Sequence, residues 1–333
     1  MARRGRPHVR PLLAGLLLAA LGALAAGCGL KPASAFVPAI EPGSIKPVEG
    51  LKDATIRVTS KEFTEQLILG KIAVLALTAA GANAEDHTNV QGSVTARQSL
   101  TSGENDLQWE YTGTGWITYL GQDDPIADPL EQWEAVRDLD LKKNGVVWLW
   151  PYAPLNNTYA MAVTAATQRK YGLTNLSDMA KVPVRQRTFC VEPEFFSRND
   201  GLRGMLETYG VPYGSSSGVP AGNIRQMSSG VVYSATAQGQ CTFGEVFTTD
   251  GRIPALDLKV LADDKKFFPN YNAAVTVRQD VLKAHPELTQ VFAQISPKLT
   301  TAVMQDLNSQ VDVDGNDPVY VARDWMREEG FIK

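Results

Sequence analysis

The chain has 333 residues, 44% of them hydrophobic and 20% charged, with 32 Lys and Arg against 36 Asp and Glu and a formal net charge of −4. That length and apolar content support a large buried core and exclude a disordered chain, while the acidic balance argues against nucleic acid as a partner. Three cysteines and three histidines leave little material for a metal cluster, and no metal site is expected.

Arg3, Arg4, Arg6 and Arg10 precede an apolar run from Leu12 to Ala26. Positive charge followed by a run too short for an ordinary transmembrane helix reads as a signal peptide over residues 1–27. The run ends Leu24-Ala25-Ala26-Gly27-Cys28 and is similar to a bacterial lipobox, although Ala25 stands where Leu is commoner. Cys28 is therefore expected to carry lipid and to anchor the chain on the extracytoplasmic face of the cell membrane. Ordinary signal cleavage beside an incidental cysteine is the alternative. Pro32, Pro38, Pro42 and Pro47 make residues 28–52 read as a flexible tether. No second run of eighteen apolar residues follows, so the remainder reads as soluble.

Thr55 to Thr59 alternates and is β-branched, a first strand. Ser60 to Gln66 leads from it into a buried helix through Leu67, Ile68, Ile72, Leu75 and Leu77, with Thr64 near its N-cap. Val90 to Leu100 reads as a strand and a helix start, and Leu107 to Tyr111 as a strand. The octet Trp109-Glu110-Tyr111-Thr112-Gly113-Thr114-Gly115-Trp116 holds three aromatics, two threonines and two glycines. Paired glycines and β-branched threonines disfavour a helix, so it is expected to form a tight loop with exposed rings and hydroxyls. Further on, Pro129–Lys143 is an amphipathic helix and Val146–Trp150, Tyr159–Val163 and Arg187–Val191 are strands. Gly201–Tyr209 is a short helix, and Gln226–Ala237 a helix or mixed element. Cys241–Phe247, Leu258–Leu261 and Tyr271–Arg278 are strands, two helices fill Asp280–Leu307, and Pro318–Glu329 is the last helix. Strands alternating with helices imply an α/β chain with largely parallel sheets.

Enzymatic readings find little support. Gly214-Ser215-Ser216-Ser217-Gly218 matches a nucleophile elbow in form, but Pro212 and Pro220 flank it where a strand and a helix are needed. Asp312 to Asp317 hints at a calcium loop, yet its glycine comes too early and no closing Glu follows. Cys190 and Cys241, in an exported chain, are most simply a disulfide, with two buried thiols as the alternative. Aromatic residues recur at strand–loop junctions, at Tyr111 and Trp116, at Tyr159, at Phe247, and at Phe267, Phe268 and Tyr271. Such rings are either ordinary packing or the walls of a cage for a small cation.

The segments SKEFTEQ (60–66), WEYTGTGW (109–116), NNTYA (156–160), FFSRNDGL (195–202), FTTDGRI (247–253) and DDKKFFPNYNAA (263–274) resemble, in that order, substrate-binding proteins of osmoprotectant ABC transporters. That family captures glycine betaine, choline, carnitine and related quaternary amines. The resemblance implies a type II periplasmic-binding-protein fold of two α/β lobes with mainly parallel central sheets and a two-strand hinge. Lobe 1 would be 53–158 plus 271–333 and lobe 2 159–270, with the hinge near Asn157–Tyr159 and Asn270–Asn272. Both Cys190 and Cys241 then fall in lobe 2. It implies a cation cage of Tyr111, Tyr159, Phe247 and Tyr271, and a carboxylate end made by Lys61, Thr114 and Arg198. Gln66 and Asn157 would add polar contacts, and Gly113 and Gly115 would allow close backbone approach. If Lys61 and Arg198 both face the cleft, a zwitterion should bind better than choline. The implied partners are the quaternary amine, an ABC permease and its ATPase; the protein is expected to be a monomer without cofactor and not an enzyme. A binding protein for another cation or an amino acid, and a ligand sensor, are the alternatives; a serine hydrolase acting through Ser216 is the weakest.

Overall fold

The computed structural model describes residues 37–333. The expected signal peptide, the lipidation of Cys28 and the first part of the tether lie outside the described residues. Residues 37–52 differ from the loose tether expected of them. Gly43 N donates to Phe331 O at 3.0 Å and Ser44 N to Gly330 O at 2.8 Å, so this segment pairs with the C-terminal residues. Ile45 and Leu51 are buried. Prolines suit such an extended, edge-like segment, and the two apolar side chains fix it to the core.

Ten strands occur among the described residues: β1 (Thr55–Lys61), β2 (Asn83–Val90), β3 (Leu107–Tyr111), β4 (Val146–Trp148), β5 (Tyr159–Thr164), β6 (Phe189–Val191), β7 (Ile224–Gln226), β8 (Phe243–Phe247), β9 (Leu258–Val260) and β10 (Ala273–Arg278). They form two five-stranded sheets, ordered β2-β1-β3-β10-β4 and β7-β6-β8-β5-β9. The first sheet thus takes strands from both ends of the chain and the second from its middle. The sheets are mixed rather than mainly parallel. β10 runs antiparallel to β3 and β4, and β5 antiparallel to β8 and β9. The reason is topological: β5 and β10 are the strands that immediately follow the two passages between sheets, so each starts at the end where its parallel neighbours finish.

Helix α1 (Thr64–Ala79) begins one residue after Phe63, which holds the N-cap position without a side-chain cap, so Thr64 is the first helical residue. Its buried run from Ile68 to Leu77 packs on the first sheet and on the terminal helix Pro318–Glu328. β2 was expected only from Val90 onward. Its sequence NAEDHTNV has no apolar alternation because it is an edge strand, with only Thr88 buried. Between Gln279 and Asp312 lie three α-helices, not two, since Pro286 separates the first pair and Pro297 opens a 3₁₀ turn before the third.

The octet is not an exposed loop. Trp109 is fully buried in β3, Thr112–Thr114 turn helically, and Gly115–Tyr119 continue as a π-helix. A Cβ on Gly113 would meet the Tyr271 ring at 2.7 Å, and one on Gly115 would meet Trp148 at 2.6 Å. The glycines therefore serve close packing, which overrides their low helix propensity. Cys190 and Cys241 form a disulfide, with Cα atoms 5.7 Å apart. Ser216 lies in an exposed turn between Tyr213 and Val219, and Asp317 caps the last helix through Val319 N.

Candidate functional site

Open α/β sheets present ligand sites beyond the carboxyl ends of their strands. Here the ends of β1, β3, β6 and β8 deliver Lys61, Tyr111, Glu192 and Phe247 to one cavity of about 660 Å³. The reversed strands bring their N-terminal ends to the same place. Tyr159 opens β5 directly opposite Phe247, and Ala273 of β10 lies opposite Tyr111, with Tyr271 two residues earlier.

The four expected cage residues all line this cavity. Tyr159 lies 5.2 Å from Phe247 and 5.5 Å from Tyr271, the latter edge-on at 87°. A fifth ring joins them: Phe63 stacks on Phe247 at 5.2 Å and on Tyr111 at 6.2 Å. Phe63 stands inside the SKEFTEQ segment, but its position just before a helix gave no sign that it faces a cleft. Burial pushes the phenols of Tyr111, Tyr159 and Tyr271 well above their ordinary range, so all three are neutral. Tyr271 donates to Asp200 and Tyr111 to Glu65 at 2.8 Å.

Of the expected carboxylate receivers, Lys61 and Thr114 line the cavity and Arg198 does not. Lys61 Nζ donates to Glu110 at 2.6 Å and to Ser93 Oγ at 3.3 Å, and sits 4.9 Å over the Tyr111 ring. Arg198 is buried behind the rings. Its Nε and Nη2 donate to the two oxygens of Asp200 at 2.7 and 2.6 Å, Nη1 donates to Glu194 at 3.2 Å, and the guanidinium lies 5.4 Å from the Tyr159 ring. The fork expected to clasp a carboxylate is thus already filled by one. Asn157 lines the cavity, and its Oδ1 is buried with no partner within the protein. Gln66 does not line it; its Oε1 accepts from Lys61 N at 3.4 Å.

An acidic wall went unforeseen. Glu62, Glu192 and Glu194 face the cavity. Burial, then the charges of Glu194 and Glu62, raise Glu192 to about 7. Behind it, Glu245 accepts from Glu192 N at 2.7 Å and is pushed well above the carboxylate range by burial and by Glu192. Burial also works to raise Glu194, but Lys61, Arg198 and the donors of Ser93 outweigh it and hold this carboxyl below its ordinary value. Glu194 accepts from Ser93 N at 3.1 Å and Ser93 Oγ at 2.6 Å, joining the second sheet's side of the cavity to the start of helix α2 (Ser93–Thr101) on the first. The sequence signal available was the Glu-Pro-Glu run at the end of a strand.

Two α/β lobes that share two passages and enclose a ring-lined cavity between their strand ends have the build of a two-lobed solute-binding protein. The match to substrate-binding domains of ABC-type glycine betaine transport systems runs over residues 54–328, and the chain belongs to that family. It is 40% identical over 292 residues to the glycine-betaine-binding protein of Pseudomonas aeruginosa, covering 85% of this chain and 91% of that one. It is 32% identical to the glycine betaine-binding protein YehZ of Escherichia coli, covering 84% and 92%. A solved structure described as a glycine betaine/carnitine/choline ABC transporter superposes with a TM-score of 0.67 at 29% identity, over 83% of this chain and 99% of that one.

Proposed function

We propose that this protein captures a quaternary ammonium osmoprotectant of the glycine betaine type between its lobes and delivers it to an ABC permease. The carrying observation is the convergence of Phe63, Tyr111, Tyr159, Phe247 and Tyr271 on one cavity from both sheets. A trimethylammonium group has no N–H to donate, so hydrogen bonds cannot hold it. Ring faces can, at about 0.5–2 kcal/mol each according to desolvation. Phe247 offers a π face without a hydroxyl, and Asn157 Oδ1 offers a buried acceptor dipole. At the other end Lys61 and Thr114 receive the carboxylate, with Ser93 beside Lys61. Arg198 serves by holding Asp200, which in turn holds the Tyr271 hydroxyl.

Ligand bridging the lobes favours the closed form, and that form is the one a permease reads. Cys28 lipidation keeps the protein near its permease, and one copy suffices for capture. The work is binding without chemistry.

The acidic wall favours a second reading. Lys61 is neutralised by Glu110, Arg252 by Asp250 and Arg198 by Asp200, leaving Glu62, Glu194 and a part-ionised Glu192 in surplus along the lining. Such a wall suits a quaternary amine with a hydroxyl in place of a carboxylate, as in choline. Calorimetric titration with glycine betaine, carnitine, choline and an unmethylated amino acid separates the two. Tight zwitterion binding supports the first, tight choline binding the second, and heat only from the amino acid overturns the cage.

A further inference from the structure

Glu65 lies in the first turn of α1, is only 2% exposed and does not line the cavity. An ionised carboxylate offers about four acceptor sites, and here each oxygen takes two donors. Oε1 accepts from Tyr111 OH at 2.8 Å and Asn157 Nδ2 at 3.0 Å. Oε2 accepts from Thr249 Oγ1 and from Asn308 Nδ2 at 3.2 Å. Asn308 Nδ2 also donates to Thr249 O at 2.9 Å.

These donors come from four separate parts of the chain. Tyr111 ends β3 of the first sheet. Asn157 stands in the passage from the first sheet to the second. Thr249 follows β8 of the second sheet, two residues after Phe247. Asn308 lies on helix α3 (Thr301–Asp312), near the C-terminus. Tyr111, Asn157 and Phe247 all line the cavity. One buried carboxylate therefore grips two lining side chains directly and the segment that carries a third.

We infer that Glu65 is the positioning residue of this site, a hydrogen-bonded fulcrum that sets the cage rings of the two lobes against each other without touching ligand. The inference rests on the cavity being the quaternary amine site. Burying a carboxylate is costly unless its acceptor sites are filled, so the four donors are held as firmly as they hold it. Pinning the Tyr111 hydroxyl fixes the direction in which a cage ring points. Pinning Thr249 fixes how far the end of β8, and hence Phe247, stands from it.

Glu65→Gln keeps the volume but turns one acceptor oxygen into a donor that faces two donors. Wild type, Glu65→Gln, Tyr111→Phe and the double variant are titrated with glycine betaine and with choline, with the melting temperature measured for each. Glu65→Gln is expected to weaken binding at least about tenfold, and Tyr111→Phe by less. The double variant is expected to lose less than the product of the two, because both act through one hydrogen bond. A purely structural Glu65 would lower the melting temperature and leave the affinity of the folded protein unchanged. That result, or strictly multiplicative losses, overturns the proposal while leaving the cage intact. Absence of wild-type binding to any quaternary amine overturns the cage and the proposal together. If Glu65→Gln does not fold, Thr249→Val removes one donor and leaves three; several-fold weaker binding supports the fulcrum, and unchanged binding overturns it.

Discussion

At the scale of single residues, the site is a ring box set beside carboxylates, and the two halves make separate predictions. Phe63 stacks between Tyr111 and Phe247, so Phe63→Ala removes one ring face and loosens two others. It should weaken quaternary amine binding about 10-fold or more in a calorimetric titration, while Phe63→Tyr should change it little. Glu192 responds to pH. It faces Glu62, Glu194 and Glu245, with Ser229 and Arg252 as the groups that oppose its rise to about 7. A bound cation favours the ionised form, so affinity for choline should fall as pH drops from 8 to 6. Glu192→Gln should flatten that profile. The stability of the free protein should move the other way. The folded state keeps a proton that the unfolded chain gives up, so stability rises as pH falls from about 7 toward the ordinary glutamate range and is lost above it. A change in melting temperature between pH 6 and pH 8 that is the same in wild type and in Glu192→Gln would contradict this assignment. The rings were legible because aromatics at strand ends stand out in the sequence. The tying of Arg198 to Asp200 was not, although the two stand only two positions apart, because a cation near a cleft and a cation behind it look alike until side chains are placed.

Elements carry these residues, and in this chain alternation marks them better than composition does. β1, β3 and β5 stood out because their apolar and β-branched residues are packed by helices and neighbouring strands. β2 was missed because an edge strand has little to bury. The octet looked like a loop because its glycines were read as freedom, whereas Tyr271 and Trp148 press on the places their side chains would fill. The antiparallel β5 and β10 are not visible in local pattern, since strand direction depends on the end of the sheet from which the chain enters. Helix α2 is where the lobes meet across the cavity from the passages. Its first residue, Ser93, is held by Glu194 through backbone and hydroxyl. A carboxylate at a helix N-terminus is favoured by the exposed N–H groups there. Glu194→Ala should therefore shift the free protein toward an open form, seen as a larger radius of gyration by solution scattering, with ligand restoring the smaller value. An unchanged radius in the free variant would deny the contact any part in closure.

At the largest scale, the described residues Val37 to Lys333 form one compact unit, in which the second sheet is stapled by Cys190–Cys241 across a separation of 51 residues. The loop it closes is worth about 4 kcal/mol by chain-entropy reasoning. The paired substitution Cys190→Ser with Cys241→Ser should lower the melting temperature markedly. Both side chains sit against Val232 and Ala235, outside the cavity lining, so glycine betaine affinity at 25 °C should stay within a few-fold of wild type. A large loss of affinity in a folded variant would place the disulfide in the binding machinery. The segment 37–52 belongs to this scale too. Its prolines suggested a leash, and only the pairing of Gly43 and Ser44 with the chain's far end shows why its last residues are fixed.

The central claim is that the cavity between the two sheets holds a quaternary ammonium group among five rings. A crystal structure of the protein grown with saturating glycine betaine, with choline as the parallel ligand, tests it most directly. The account predicts the ammonium nitrogen within about 6 Å of the centroids of Phe63, Tyr111, Tyr159, Phe247 and Tyr271, with the rest of the ligand directed toward Lys61 and Thr114 or toward Glu192. Ligand bound outside this ring box, or a box that stays empty while the protein binds the amine in solution, would contradict it.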